Sequence, residues 1–246
     1  MLTRRLGGRS GRPPLAFVAM FAVLLTLQIG MHTWRRPPLP HVEPLPEAPA
    51  AFVLRGLAFG DPELLAGLSS LYLQTFDNQP GASIPFRDLD YVRLTAWLER
   101  ALSLDPRSHY PLMMAAQVYA QVPDAGRQRL MLDFVHRAFM ADPELRWRWL
   151  AHGVIVARHR LHDARLALRY ATDIATYARH APGWARQMQI FLLQDLGEAE
   201  QAKLLLGALL ATGEITDPGE IRFLTKRLHD MGAPTNSGSG GASQEP

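Results

Sequence analysis

The chain has 246 residues, of which 48% are hydrophobic and 20% charged, a balance that excludes a wholly disordered or collagen-like chain. It contains no cysteine, which excludes structural disulfides, thiolate nucleophiles, cysteine-ligated zinc and iron–sulfur clusters. The net charge is +3, but residues 1–36 hold six arginines and no acidic residue, so residues 37–246 carry 20 basic and 23 acidic residues. Because the basic excess belongs to the N-terminus alone, we expect no nucleic-acid partner.

An uncharged apolar run of 17 residues covers residues 15–31 and is followed by Trp34, Arg35 and Arg36. This length is at the lower limit for crossing a bilayer, and the flanking aromatic and basic side chains are typical of a membrane interface. The sequence therefore predicts a transmembrane anchor over residues 15–34 that contacts the lipid bilayer. A cleaved signal peptide and a buried soluble helix are the alternatives.

The four arginines of residues 1–14 outnumber the two that follow the apolar run. The positive-inside rule then makes residues 1–14 a cytoplasmic basic tail of a single-pass protein of the bacterial inner membrane, with a periplasmic body. A body that faces the cytoplasm is the alternative. Residues 35–50, with six prolines within 37–49, predict an extended linker. Residues 233–246 have the Gly- and Ser-rich composition of a disordered tail.

Asp-Pro pairs recur along the rest of the chain and indicate helix starts. The aspartate side chain accepts from the free amides of the first turn, and proline at the first helical position has no N–H that would remain unpaired. They occur at Asp61-Pro62, Asp105-Pro106, Asp142-Pro143 and Asp217-Pro218, with Ala181-Pro182 in the remaining gap. The intervals of 36 to 44 residues each hold two helices and a turn. The sequence thus predicts an all-α body over residues 51–232, with about four helix pairs and a capping helix.

Apolar residues recur at helical spacing within these intervals. The first helix has one apolar face made of Leu64, Leu65, Leu68, Leu71, Tyr72 and Phe76. Further helices are predicted over 107–121, 125–140, 144–160, 164–179, 183–195, 198–212 and 218–231. Gly213 follows such a run, where a left-handed residue ends a helix.

The sequence at the ends and starts of these helices resembles that of the tetratricopeptide (TPR) family. Residues 97–106, which end in Ala-Leu-Ser-Leu-Asp-Pro, resemble the end of a TPR second helix. Weaker matches are Arg137 to Pro143, Trp149, Gly153, Asp163 to Ala167, Gly197, Glu198 and Ala202. The resemblance covers residues 61–217 and implies an α-solenoid that binds another protein in its groove.

A second, more local resemblance lies in residues 72–91. This segment is similar to one found in membrane-anchored proteobacterial proteins that have no assigned function. The TPR resemblance, with the anchor, implies a membrane-anchored interaction scaffold or an assembly or chaperone factor that binds a protein partner. The sequence has no catalytic or nucleotide-binding motif of the G-x-S-x-G, P-loop, G-x-G-x-x-G or H-E-x-x-H type, so we expect no enzymatic activity and no cofactor.

An inserted loop over residues 78–86 interrupts the first helix pair. It is expected either to present Asp77, Asn78, Gln79 and Arg87 to a partner or to tuck Ile84 and Phe86 into the core. The alternative function is an enzyme that acts on envelope polymers, with Asp77, Asp88 or Asp90 as acid and base.

Residues 144–190 are a basic island, with eight arginines and three acidic residues. Arginine binds carboxylates through a planar fork, so this island is a second candidate partner-binding surface. Its named members are Arg146, Arg148, His152 and Arg158. The alternative is a solvated face that pairs with acidic residues of the neighbouring units. His152, His159 and His162 suggest a metal site only weakly, and we predict none.

Overall fold

The computed structural model describes residues 15–34, 43–76, 78–79, 82–213, 215 and 217–232. The predicted tails 1–14 and 233–246 lie outside the described residues. The described part is helical, as the all-α prediction requires. The helices are α1 (Leu15–Trp34), α2 (Ala51–Leu57), α3 (Pro62–Gln74), α4 (Tyr91–Leu104), α5 (Tyr110–Met113), α6 (Ala125–Ala141), α7 (Pro143–His159), α8 (Ala164–Tyr177), α9 (Gly183–Asp195), α10 (Ala199–Ala211) and α11 (Pro218–Gly232).

Helix α1 belongs to a separate unit from the helical body. The prediction for this N-terminal segment has to be corrected. Among the described helices, none combines the length and the apolar character that crossing a membrane requires. The apolar run itself is short, since its 17 residues at ~1.5 Å each span about 26 Å against a hydrocarbon core of ~30 Å. The last turn of α1 adds the polar residues His32 and Thr33. The predicted transmembrane anchor over 15–34, and with it the single-pass inner-membrane localisation, is wrong.

Three of the four Asp-Pro pairs start helices as predicted. Asp61 accepts from the amide of Leu64, Asp142 from that of Leu145 and Asp217 from that of Glu220. Asp105 instead accepts from the amide of Arg107 in a turn, and α5 begins only at Tyr110. Helix α5 then continues through a π-helical turn, Met114–Val118, and a 3-10 turn, Tyr119–Gln121.

Consecutive helices of the body pack as pairs. Helix α3 packs against α4, the π-helical and 3-10 extension of α5 against α6, α7 against α8, and α9 against α10, with α11 on α10. This helical-repeat-like arrangement agrees with the predicted number of pairs and the capping helix. A hydrophobic cluster runs through the body from Leu45 to Leu192, and a smaller one joins α9, α10 and α11.

The predicted apolar face of the first helix faces the core only in part, since Phe76 is buried and Leu65 half-buried. The buried residues of α3 are Ala66, Ser69, Ser70 and Leu73, whereas Leu64, Leu68 and Leu71 lie on the opposite side and are exposed. The serine hydroxyls donate to carbonyls one turn earlier in α3, which satisfies them inside the protein. Small residues on the inner side let α3 approach its neighbours, and the leucine side is left uncovered.

The Pro-rich segment is held against the body over its described residues 43–50. Three side chains of α4 donate to its carbonyls: Arg93 to Leu45, Trp97 to Pro46 and Arg100 to Pro49. These donors lie at helical spacing, so they form one stripe along α4. We call residues 43–49 the strap, an extended chain bound by an arginine- and tryptophan-bearing helix face.

Gly153 permits the close packing of α6, α7 and α8. A methyl group there would lie 3.4 Å from Leu132 and 3.9 Å from Tyr170, in ordinary van der Waals contact. We expect Gly153→Ala to raise the free energy of unfolding by up to about 1 kcal/mol through helix propensity. Gly153→Leu should lower it by about 1–3 kcal/mol by overpacking. Urea denaturation of the two variants measures both effects, and equal stability of the two would contradict this packing.

Candidate functional site

The inserted loop is anchored to the core at two points. It contains the two-residue strands β1 (Asn78–Gln79) and β2 (Ala82–Ser83), which form a two-stranded sheet, and a 3-10 turn, Phe86–Asp88. Leu89 is buried and Ile84 is half-buried against the main hydrophobic cluster. Burial of these apolar side chains fixes the loop on the body.

Phe86 does not enter the core but forms a wall of a surface cleft. Its ring meets Tyr119 edge-on, with centroids 5.7 Å apart. The cleft has a volume of about 430 Å³ and lies between the inserted loop and the end of α5. We call it the loop cleft; its lining residues are Pro85, Phe86, Arg87, Gln117, Val118, Gln121, Val122 and Pro123.

The far wall of the loop cleft exists because α5 does not continue as a regular helix. Gln117 and Val118 belong to the π-helical turn and Gln121 to the 3-10 turn. The Gln121 amide nitrogen donates to the carbonyl of Ala116. On the near wall the Arg87 guanidinium is largely exposed, with Nε 3.8 Å from a carboxylate oxygen of Asp88. The loop cleft is thus lined by apolar side chains, with the guanidinium of Arg87 and the side-chain amides of Gln117 and Gln121 beside them.

The other side of the inserted loop faces the strap. The Gln79 side-chain amide accepts from the backbone N–H of Glu43 and donates to the carbonyl of the same residue, at 3.0 and 2.9 Å. A second cavity of about 380 Å³ lies between strap and loop, lined by Leu45, Phe76 and Ile84 among others. The loop therefore already binds an extended peptide backbone on one side.

The loop residues predicted to contact a partner have different environments. Asp77 lies outside the described residues, and Asn78 belongs to β1. Gln79 binds the strap, and Arg87 borders the loop cleft. Only Arg87 of these four is placed by the described structure at an open cavity wall with its charged group exposed.

Two of the three carboxylates of the alternative enzymatic hypothesis, Asp88 and Asp90, belong to the described residues. Asp90 caps α4 by accepting from the amides of Val92 and Arg93. Asp88 is exposed beside Arg87.

Arg146, predicted for partner binding, is buried instead, with 6% of its surface exposed. Its Nη1 donates to the carbonyl of Ala138 at 2.7 Å and its Nη2 to that of Pro106 at 2.8 Å. Burial lowers the pKa of Arg146, and the nearby Asp142 carboxylate opposes that shift. The guanidinium remains charged at any ordinary pH. It joins the last turn of α6 and the turn before α5 to the start of α7.

The other predicted residues of the basic island have different environments along α7. Arg148 is exposed and lies over the Trp147 ring, 5.8 Å from its centroid. Arg158 donates through Nε and Nη2 to one carboxylate oxygen of Asp195 in α9, at 3.0 and 2.9 Å. His152 is half-buried, and burial lowers its pKa. The structure does not gather these four residues into one site, and pairing between units accounts for Arg158.

Two features of these surfaces escaped the sequence analysis. The glutamines of the loop cleft carried no signal, because a π-helical turn has no recognisable sequence pattern. Trp147 and Trp184, one repeat apart, form an edge-to-face pair with centroids 5.7 Å apart. Among the described residues, no group of three or more His, Asp or Glu is placed to hold a metal ion.

Comparison with protein-family models, with curated proteins and with solved structures finds no match to this chain.

Arg146 and Arg148 provide a matched test of buried against exposed arginine. We expect Arg146→Ala to lower the free energy of unfolding by about 2–4 kcal/mol, since it removes two charge-assisted hydrogen bonds and the packing of a buried side chain. Arg148→Ala should change it by less than about 0.5 kcal/mol. Chemical denaturation of both variants measures the difference. Equal losses would show that the Arg146 hydrogen bonds do not stabilise the fold.

Two histidines make stability depend on pH. Burial, with Arg148 and Arg146 nearby, lowers the pKa of His109, and burial lowers that of His152. His109 Nδ1 also accepts from Trp149 Nε1 at 3.0 Å, which requires an unprotonated nitrogen. When the pH drops below 6.5, the histidine pKa of the unfolded chain, the unfolded chain binds protons that the folded chain does not. The folded state therefore becomes less stable as the pH decreases.

We therefore expect the melting temperature to fall between about pH 7 and pH 5.5. The double variant His109→Gln, His152→Gln should show a smaller fall over the same interval, because its glutamines do not titrate. An unchanged slope in the double variant would assign the pH dependence to other groups.

Proposed function

We propose that the chain is a non-enzymatic, TPR-like protein-interaction module that binds an extended segment of a partner protein in the loop cleft. The observation that carries the proposal is the cleft itself, about 430 Å³ in volume, walled by the inserted loop and the irregular end of α5. Binding residues commonly lie on loops that a rigid scaffold holds in place. Here Leu89 and Ile84 hold the loop on the hydrophobic cluster.

The lining of the loop cleft defines the chemistry of the partner. Phe86, Val118 and Val122 offer apolar surface for one or two side chains. Gln117 and Gln121 carry amide groups of the kind that Gln79 uses to bind the backbone of Glu43. Arg87 offers an exposed guanidinium, which favours a carboxylate. A segment with an apolar residue beside an aspartate, a glutamate or a C-terminus fits this set.

The strap supports an extended conformation for the bound segment. The body holds residues 43–49 through donors of α4 to their carbonyls, a mode of recognition that suits a Pro-rich chain. Extended segments lose little conformational freedom when they bind, so a cleft of modest size is sufficient. The proposed site lies on the opposite side of the same loop.

A random-peptide display library selected on the full-length chain tests the proposal. We expect enriched peptides to combine an apolar residue with a nearby carboxylate. Their affinity, measured by fluorescence anisotropy, should fall about tenfold or more in Arg87→Glu and in Phe86→Ala. Arg165→Glu, the same charge change at an exposed residue of α8, is the matched control and should leave affinity unchanged.

Two results would contradict the proposal. One is a library that yields no enriched peptide. The other is a set of peptides that bind Arg87→Glu and Phe86→Ala as tightly as the unchanged chain, which would place their site elsewhere on the body.

A further inference from the structure

Helix α3 exposes leucines in a regular stripe. Leu64, Leu68 and Leu71 are 60%, 51% and 56% exposed and follow one another at spacings of four and three residues. That spacing places them on one side of the helix, opposite the buried Ala66 and Leu73. A seam of this spacing is the kind that a second helix covers in a coiled coil.

The preceding segment extends this apolar surface. Helix α2 packs against α3 and α4, with its Leu54 in a small cluster that includes Ala66 and Leu104. Its other side exposes Phe52, Val53 and Leu57, and Phe59 follows with 92% of its surface exposed. We call these four residues and the three α3 leucines the end face.

Phe59 is held in a conformation that an aromatic residue rarely adopts. Its φ is 47°, in the left-handed region, where residues other than glycine are strained. Such strain persists where the surrounding structure imposes it, and it commonly marks a binding site. Here it accompanies a phenylalanine side chain that is turned fully outward.

The end face also has few charges. Within residues 51–76 the charged residues are Arg55, Asp61 and Glu63. Depletion of charge is typical of the centre of a protein–protein interface. Because the surface carries both signs and little of either, two copies of it can meet without repulsion between like charges.

The exposure and position of the end face point to its occupant. The seven apolar side chains are each between 39% and 92% exposed, and burial of such a set in a contact is favourable. Within the described residues of the body, α3 and α4 form the first helix pair and no other pair packs on their outer side, whereas terminal repeats normally present a polar outer side. A self-complementary seam suits a two-fold contact.

We propose that the end face is a homodimer interface, in which the stripe Leu64, Leu68 and Leu71 of one copy packs against the same stripe of a second copy. The interface is separate from the loop cleft, whose lining comes from residues 85–87 and 117–123. Dimerisation presents two loop clefts on one particle, which increases the apparent affinity for a partner with two suitable segments.

The absence of cysteine makes a crosslinking experiment clean. Leu64→Cys, Leu68→Cys and Leu71→Cys are made one at a time in the full-length chain and treated with a short bismaleimide. Val92→Cys is the matched control, an exposed apolar residue on α4 outside the end face. We expect a crosslinked dimer with the three stripe cysteines and only background with the control. Equal yields at all four positions would overturn the proposal.

Sedimentation equilibrium of full-length variants gives a second, independent measurement. The double variant Leu64→Glu, Leu68→Glu should raise the dimer dissociation constant by at least about 30-fold, as expected for the loss of interface hot spots. Val92→Glu should leave it unchanged, and circular dichroism confirms that both variants are folded. A monomeric wild-type chain, or a dimer that the double variant leaves intact, would refute the end-face dimer.

Discussion

The buried guanidinium of Arg146 is the constraint around which the middle of the body is arranged. It reaches the carbonyl of Ala138 in the last turn of α6 and that of Pro106 in the turn before α5. A carbonyl near a helix end lacks a complete set of helical partners and carries partial negative charge, so a cation there is favourable. Removal of Arg146 would break both hydrogen bonds and leave the Pro106 carbonyl without this donor, a larger penalty than the loss of an exposed ion pair.

Polar side chains about one repeat apart in the sequence also form contacts between neighbouring helix pairs. Arg137 pairs with Glu99 across 38 residues, Arg129 with Asp163 across 34, and Arg158 with Asp195 across 37. Each is partly exposed and contributes little by itself. Their common separation shows that equivalent positions of neighbouring helix pairs meet. Of these three pairs, Arg158 with Asp195 joins an arginine of the basic island to an acidic residue outside it.

Two surfaces of the body remain open once these internal contacts are made. The loop cleft is polar at its edges and irregular in backbone, which suits an extended segment of a different protein. The end face is apolar, regular in spacing and poor in charge, which suits a second copy. The strap is an internal example of the first kind of contact. The body binds this extended stretch of its own chain through Arg93, Trp97 and Arg100.

The sequence by itself determined where α3, α7 and α11 begin, because capping by Asp61, Asp142 and Asp217 is a local interaction between residues three apart. It also determined that Gly213 ends a helix in the left-handed region. Only the tertiary structure decided which side of α3 is buried, since periodicity shows that leucines share a side and says nothing of what covers it. It likewise decided that Arg146 is internal, because its acceptors come from residues 8 and 40 positions away. The loop cleft depends on the contact of residues 85–87 with an irregular turn 30 residues later, and long-range contacts of this kind leave no periodic trace in a single sequence.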